Sequence, residues 1–183
     1  MARKKRQKKP VWKDIEKRIS KFDKAQFTEL IHELYGLSSD NKDFLLTRFS
    51  IGENPLATYK KIVQDAIHPY LEDGEPLEIE KANDAISRYA KAVDDPPDEA
   101  ELRTFYVECG NNFTLSYGDI DEDFYDAMLE MYEYAIETVL ELPPKEREVF
   151  KARLQNIMES ANGIGWGYYD GLCGLYEEAF PED

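Results

Sequence analysis

The chain predicts an all-α fold: about eight or nine helices stacked in sequence as antiparallel helical hairpins, a superhelical stack being one form of that arrangement. Three observations predict it. Apolar residues recur at helical spacing almost throughout, and no stretch sustains strand alternation. Proline, glycine and Asx residues fall between the apolar stripes, where helices stop and start. The connections are short, which favours antiparallel neighbours. With 183 residues, 42% of them apolar and 13% aromatic, the chain suits one domain with a real core. That domain is expected over residues 11–183, behind a disordered basic tail at residues 1–10.

Each element has its own signal. Trp12, Ile15, Ile19 and Phe22 share a helical face. Asp23 caps a second helix and Gln26 closes a capping box; its stripe is Phe27, Leu30, Ile31 and Leu34, and Gly36 ends it. A short segment follows with Phe44, Leu45 and Phe49 inward. Asn54-Pro55 is a cap and N1 proline, opening a helix that buries residues from Leu56 to Tyr70. After a turn at Asp73-Gly74-Glu75-Pro76, the next stripe is Ile79, Ala82, Ile86, Tyr89, Ala90 and Val93. Asp94-Asp95-Pro96-Pro97 breaks the chain before a face of Leu102, Phe105, Tyr106, Cys109, Phe113 and Tyr117. Gly118-Asp119-Ile120-Asp121 is a loop and cap. The helix after it has the clearest stripe, from Phe124 and Tyr125 to Val139 and Leu140, opposite an acidic face. Pro143-Pro144 stops it and starts another, with Phe150, Leu154, Ile157, Met158 and Ala161 inward. A last helix runs to Phe180.

Charge is uneven along the chain. Residues 1–24 hold eleven cationic and three anionic side chains, net +8; the whole chain is −15, so residues 25–183 sum to −23. An acidic body repels nucleic acid and anionic membranes, and a basic tail attracts both. No segment approaches the length of an apolar membrane span, and the basic N-terminus lacks the apolar stretch of a secretory signal. A cytoplasmic protein with no membrane partner is the expectation. Cys109 and Cys173 match no metal spacing and read as reduced core thiols.

Candidate chemistry is sparse. Asp119, Asp121, Asp123 and Glu130 have calcium-loop spacing, but Phe124 stands where that loop needs glycine. Acidic residues at a helix N-terminus explain them, so no metal is expected. His32 lies off its apolar stripe and His68 near a helix end, where a dipole contact accounts for it. Nothing resembles a nucleophile elbow, phosphate loop or kinase motif, and no cofactor is implied. The tail residues Arg3, Lys4, Lys5, Arg6, Lys8 and Lys9 suit phosphate contacts with RNA, DNA or a ribosomal surface.

The segment from Asn162 to Gly174 stands out. Five of the chain's ten glycines lie in it, interleaved with Trp166, Tyr168 and Tyr169. On a helix, Gly167, Gly171 and Gly174 cluster opposite an apolar stripe of Tyr169, Leu172, Cys173, Tyr176 and Phe180. Interior glycines cost about 1 kcal/mol each relative to alanine. Close approach to that face would explain them, by another helix of the protein or by a partner in a groove floored by glycine and walled by Trp166 and Tyr168; the remaining reading is that Gly163–Gly167 is an irregular loop and the helix starts later.

Tyr117-Gly118-Asp119-Ile120-Asp121-Glu122 before Phe124-Tyr125, paired with Ile164-Gly165-Trp166-Gly167 before an aromatic and Asp170, resembles a family of uncharacterised bacterial all-helical proteins, a domain of unknown function. The Asp23–Tyr35 segment extends the resemblance over most of residues 15–180. The family pattern has a histidine where Tyr169 stands, so histidine chemistry does not carry over, and the basic tail is an addition. The resemblance implies a helical bacterial protein and no activity or substrate. Co-occurrence of the motifs suggests that Asp119, Asp121 and Trp166 meet, a carboxylate accepting the indole N–H. The functional expectation is a non-enzymatic protein-interaction module with an acidic surface, binding through Trp166, Tyr168, Gly167, Gly171, Asp119 and Asp121. The alternative is a nucleic-acid- or ribosome-associated factor acting through the tail.

Overall fold

Helix signals in the sequence become helices in space. The computed structural model describes residues 9–70 and 76–181. Among the described residues the chain is all-α, with nine helices: α1 (Trp12–Ile19), α2 (Lys24–Leu37), α3 (Ser39–Arg48), α4 (Pro55–Ile67), α5 (Ile79–Ala92), α6 (Pro96–Tyr117), α7 (Glu122–Glu141), α8 (Pro144–Ser160) and α9 (Tyr168–Ala179). None is long and apolar enough to cross a membrane. The chain divides into two compact units, Met1–Leu45 and Leu46–Asp183. The expected disordered tail lies outside the described residues except for Lys9 and Pro10, which are exposed, and so does most of the turn expected at residues 73–76.

The first unit holds α1, α2 and most of α3. Its helix ends are built from side chains, as the sequence implies. Val11 N–H donates to the Asp14 carboxylate at 3.1 Å. Gln26 N–H donates to Asp23 at 2.9 Å, and Gln26 Oε1 accepts from Asp23 N–H at 3.0 Å. Such a cap is worth about 1 kcal/mol. Asn41 Nδ2 donates to the Leu34 carbonyl at 2.9 Å, satisfying an orphan acceptor of α2. Gly36 does not end that helix; Ser38, in extended conformation, does. Neither α1 nor α2 buries a residue. Phe27, Ile31 and Leu34 are exposed, and so is Phe44, which the sequence placed inward.

In the second unit α6 is the centre. It packs against α4, α5, α7 and α8. Asp95 caps it from its carboxylate, and Pro96 and Pro97 fill its first turn. Burial runs around the helix rather than along one stripe: Leu102, Tyr106, Val107, Cys109 and Phe113, but also Thr104, Gly110, Asn111 and Thr114. Gly110 admits the thioether of Met128; a Cβ there would lie 2.1 Å from its sulfur. α7 lays Phe124, Tyr125, Met128, Tyr132, Ala135, Ile136 and Val139 inward. Its acidic face from Asp123 to Glu141 is exposed. Expected core residues Phe49, Tyr70, Tyr117 and Leu140 are exposed instead. Each lies at or beyond a helix end, where the stripe runs off its neighbour; Phe49 follows the end of α3 and precedes Ser50 at φ 50°.

Ionic contacts tie α8 to the centre. Arg153 grips Glu108 with Nε and a terminal nitrogen, both at 2.8 Å, and also bonds Glu101. Lys60 of α4 reaches Glu101 at 2.6 Å. Burial opposes ionisation of Glu101, but its bonds to Arg153 and Lys60 outweigh that and hold its carboxyl below the usual range.

Candidate functional site

Two reversals of the chain meet at one end of the second unit. The first closes α6: Gly118 takes φ 92°, and its N–H donates to the Thr114 carbonyl at 2.8 Å. Asp119 and Ile120 follow, and Asp121 caps α7 by accepting from Phe124 N–H at 2.9 Å. The second lies between α8 and α9. Gly163, Trp166 and Gly167 all have positive φ, at 91°, 60° and 71°. Glycine adopts that conformation freely. For tryptophan it is an outlier, costing of order 1–3 kcal/mol.

Asp119 joins the two reversals. The Trp166 indole N–H donates to its Oδ2 at 3.2 Å, and the Tyr125 hydroxyl donates to its Oδ1 at 2.8 Å. Of the two carboxylates expected near the indole, Asp119 takes the contact, while Asp121 is committed to its helix cap. Gly165 backs onto the same oxygen; a Cβ there would lie 3.8 Å from Oδ2.

Behind this contact the polar groups continue inward. The Tyr125 hydroxyl pairs with Thr114 Oγ1 at 2.9 Å and accepts from Ile120 N–H at 3.4 Å. The Tyr125 ring lies 5.1 Å from that of Tyr168. The Tyr168 hydroxyl donates to Asn111 Oδ1 at 2.6 Å. Asn111 Nδ2 in turn donates to the Ile157 carbonyl at 2.8 Å and Ser160 Oγ at 3.0 Å. The first link is at the surface and the last is buried. Trp166 is 56% exposed and Tyr168 only 1%.

Burial sets the protonation of these groups. It raises the Tyr168 hydroxyl far above its ordinary value. Tyr125 is raised by burial too; the bond to Asp119 adds to this, and those from Thr114 and Ile120 oppose it. Both remain donors at neutral pH. Cys109, also buried, has its thiol pushed up to about 12. What reaches solvent is a ring with its N–H already engaged by Asp119; the side chains of Asp121, Glu122, Asp123 and Asp170, on the same two motifs, are exposed as well. That arrangement suits recognition through the ring face and carboxylates.

The glycine stripe does not form one surface. A Cβ at Gly171 would lie 2.8 and 2.9 Å from the Leu129 methyls of α7, so its missing side chain serves the packing of α9 on α7. Gly167 serves backbone conformation. At Gly174 an added Cβ meets nothing within 4 Å. The groove floored by glycine and walled by Trp166 and Tyr168 is therefore corrected: Tyr168 points inward, and Gly171 is covered by the protein's own helix. Sequence reading also missed Asn111, Thr114 and Tyr125 as polar links. An asparagine pair, Asn111-Asn112, amid apolar residues was the available signal.

Other candidates lie elsewhere. Arg3, Lys4, Lys5, Arg6 and Lys8 are outside the described residues, and Lys9 is exposed. His32 is exposed; His68 caps the C-terminus of α4 and meets Phe113 and Tyr117 edge-on at 5.8 and 6.1 Å. Of the calcium-spaced acids, Asp119 lies in the loop, Asp121 caps α7, and Asp123 and Glu130 lie within it. Among the described residues no group of three or more histidine, cysteine or acidic side chains is placed to hold a metal. No family model matches the chain, and no curated protein or solved structure shows significant similarity to it.

Proposed function

We propose that the face carrying Trp166 and Asp119 is a docking surface for a cationic segment of another protein, making this chain an interaction module. One observation carries the reading: a bulky aromatic residue is held at φ 60°, exposed, with its only polar atom satisfied from below. A strained backbone persists where its surroundings over-determine it, and such strain clusters at ligand-contacting positions. Here it holds an indole ring at the surface. Residues 25–183 carry −23, and acidic side chains lie on both motifs, so a lysine- or arginine-bearing segment gains both cation–π and charge–charge attraction. The Asp119–Trp166 bond also supplies a reason for the paired motifs to occur together in the family that the chain resembles.

The test is a peptide library displayed to the full-length chain and to Trp166→Ala. The wild type should enrich arginine- and lysine-bearing peptides, with affinity falling as salt rises, and the variant should lose that enrichment while keeping its helical circular dichroism. Equal selection of neutral or acidic peptides, or unchanged selection by Trp166→Ala, would refute the proposal. The circular dichroism check matters because Trp166 sits at the entry to α9.

A further inference from the structure

The first unit carries a feature that the Trp166 face does not use. α1 runs Trp12-Lys13-Asp14-Ile15-Glu16-Lys17-Arg18-Ile19. At 100° per residue, Trp12, Ile15 and Ile19 fall within an arc of about 60°. Glu16, Lys13 and Lys17 lie on one side of that arc, with Glu16 nearest it, Arg18 lies on the other, and Asp14 is turned away to cap the helix at Val11. Two of its three residues are exposed, and Ile19 is partly buried. Trp12 is 66% exposed and Ile15 53%, with Val11 just before them also exposed. The chain leading into it is Arg3-Lys4-Lys5-Arg6-Gln7-Lys8-Lys9, and residues 1–24 together carry +8.

We propose that α1 and its basic leader bind the surface of an anionic phospholipid bilayer, with Trp12 and Ile15 seated among the headgroups and the cations on lipid phosphates and carboxylates. An exposed apolar arc with tryptophan in it, on a helix of three cations and two acids that follows a basic run, is the form of an interfacial helix. Eight residues bury little apolar area, so the helix needs a second attraction, and the basic run supplies one. Single-stranded nucleic acid would account for the cations and could stack a base on Trp12, but it makes no use of exposed Ile15. The expectation of no membrane partner rested on the acidic body and the lack of a spanning helix. Neither bears on a contact made in the plane of the surface by the one basic stretch of the chain.

The experiment is co-sedimentation of the full-length chain with phosphatidylcholine vesicles, with and without about one-third phosphatidylserine. A Trp166→Phe background leaves Trp12 as the only tryptophan, so its fluorescence reports the contact directly. Binding to the serine-containing vesicles should blue-shift Trp12 emission. It should weaken as salt rises, fall about tenfold in Trp12→Glu/Ile15→Glu, and fall further when residues 3–9 are replaced by neutral ones. Both positions are exposed, and unchanged circular dichroism will show that the variants fold. Equal binding to pure phosphatidylcholine overturns the proposal, as does binding that ignores Trp12→Glu/Ile15→Glu. A chain that binds single-stranded RNA with a steep salt dependence but leaves both vesicle types in the supernatant also overturns it, and assigns the cations to nucleic acid.

Discussion

Tyr168→Phe removes one oxygen from the interior and little else. Tyr168 is 1% exposed, and its hydroxyl is bonded to Asn111 Oδ1 at 2.6 Å. Asn111 itself is buried, and its amide nitrogen already serves Ile157 and Ser160. Deleting the hydroxyl therefore strands a buried carbonyl oxygen. A hydrogen bond contributes about 1 kcal/mol net, and an unsatisfied buried acceptor costs about 1–3 kcal/mol. The two describe overlapping losses, so the expected destabilisation is about 2 kcal/mol. At about 2–4 °C per kcal/mol for a chain of this size, Tm should fall by about 4–8 °C. Urea unfolding followed by circular dichroism should show a lower midpoint at unchanged slope. Tyr169→Phe, at a partly exposed neighbour, is the control and should stay within about 0.5 kcal/mol. If Tyr168→Phe is as neutral as its control, the hydroxyl is not a structural donor. If it is neutral and also abolishes peptide selection, Tyr168 belongs to an open groove after all.

Three further predictions concern α8, α9 and the elements they pack on. Gly174→Ala should stabilise by about 0.5–1 kcal/mol, because the position is helical and nothing lies within 4 Å of the new Cβ. Gly171→Leu should instead destabilise by about 1–3 kcal/mol, since Leu129 of α7 must give way; urea midpoints for the two variants should lie on opposite sides of wild type. Glu101 has a carboxyl held below its ordinary range when folded, so its stabilising contribution is full above the unfolded pKa and is lost as pH falls through the folded one. Glu101→Gln should cost about 1–2 kcal/mol at neutral pH and flatten the acid limb of the stability curve; an unchanged limb would place that dependence on other groups.

The sequence announced its helices through caps and breaks. Asp23 with Gln26, Asn54-Pro55, Asp95 before two prolines, and Asp121 all start helices where their chemistry implies. It was less informative about which side of a helix meets what. α6 touches four neighbours, so it has no single stripe to read, and its buried Thr104, Asn111 and Thr114 resemble surface residues in sequence. The opposite failure occurs in α2, whose apolar stripe looks like core but stays exposed. At the candidate site, the pairing of Asp119 with Trp166 was legible because two unusual motifs occur in one chain. The role of Tyr125 was not, since a stripe position reveals the direction of a ring and nothing about its hydroxyl. The glycines were legible only as a cost; backbone angles separate Gly163 and Gly167 from Gly171, and composition cannot.

The Asp119 carboxylate is shared between Tyr125, six residues away, and Trp166, 47 residues away. The near bond needs only the first turn of α7. The far one needs α8 laid on α6 and the 161–167 turn closed. A growing chain thus has the acidic half of the face before the aromatic half. The aromatic half arrives together with Tyr168, whose hydroxyl locks α9 onto Asn111. Recognition that requires both halves would discriminate by state of completion as well as by identity, favouring molecules whose last helix is already in place.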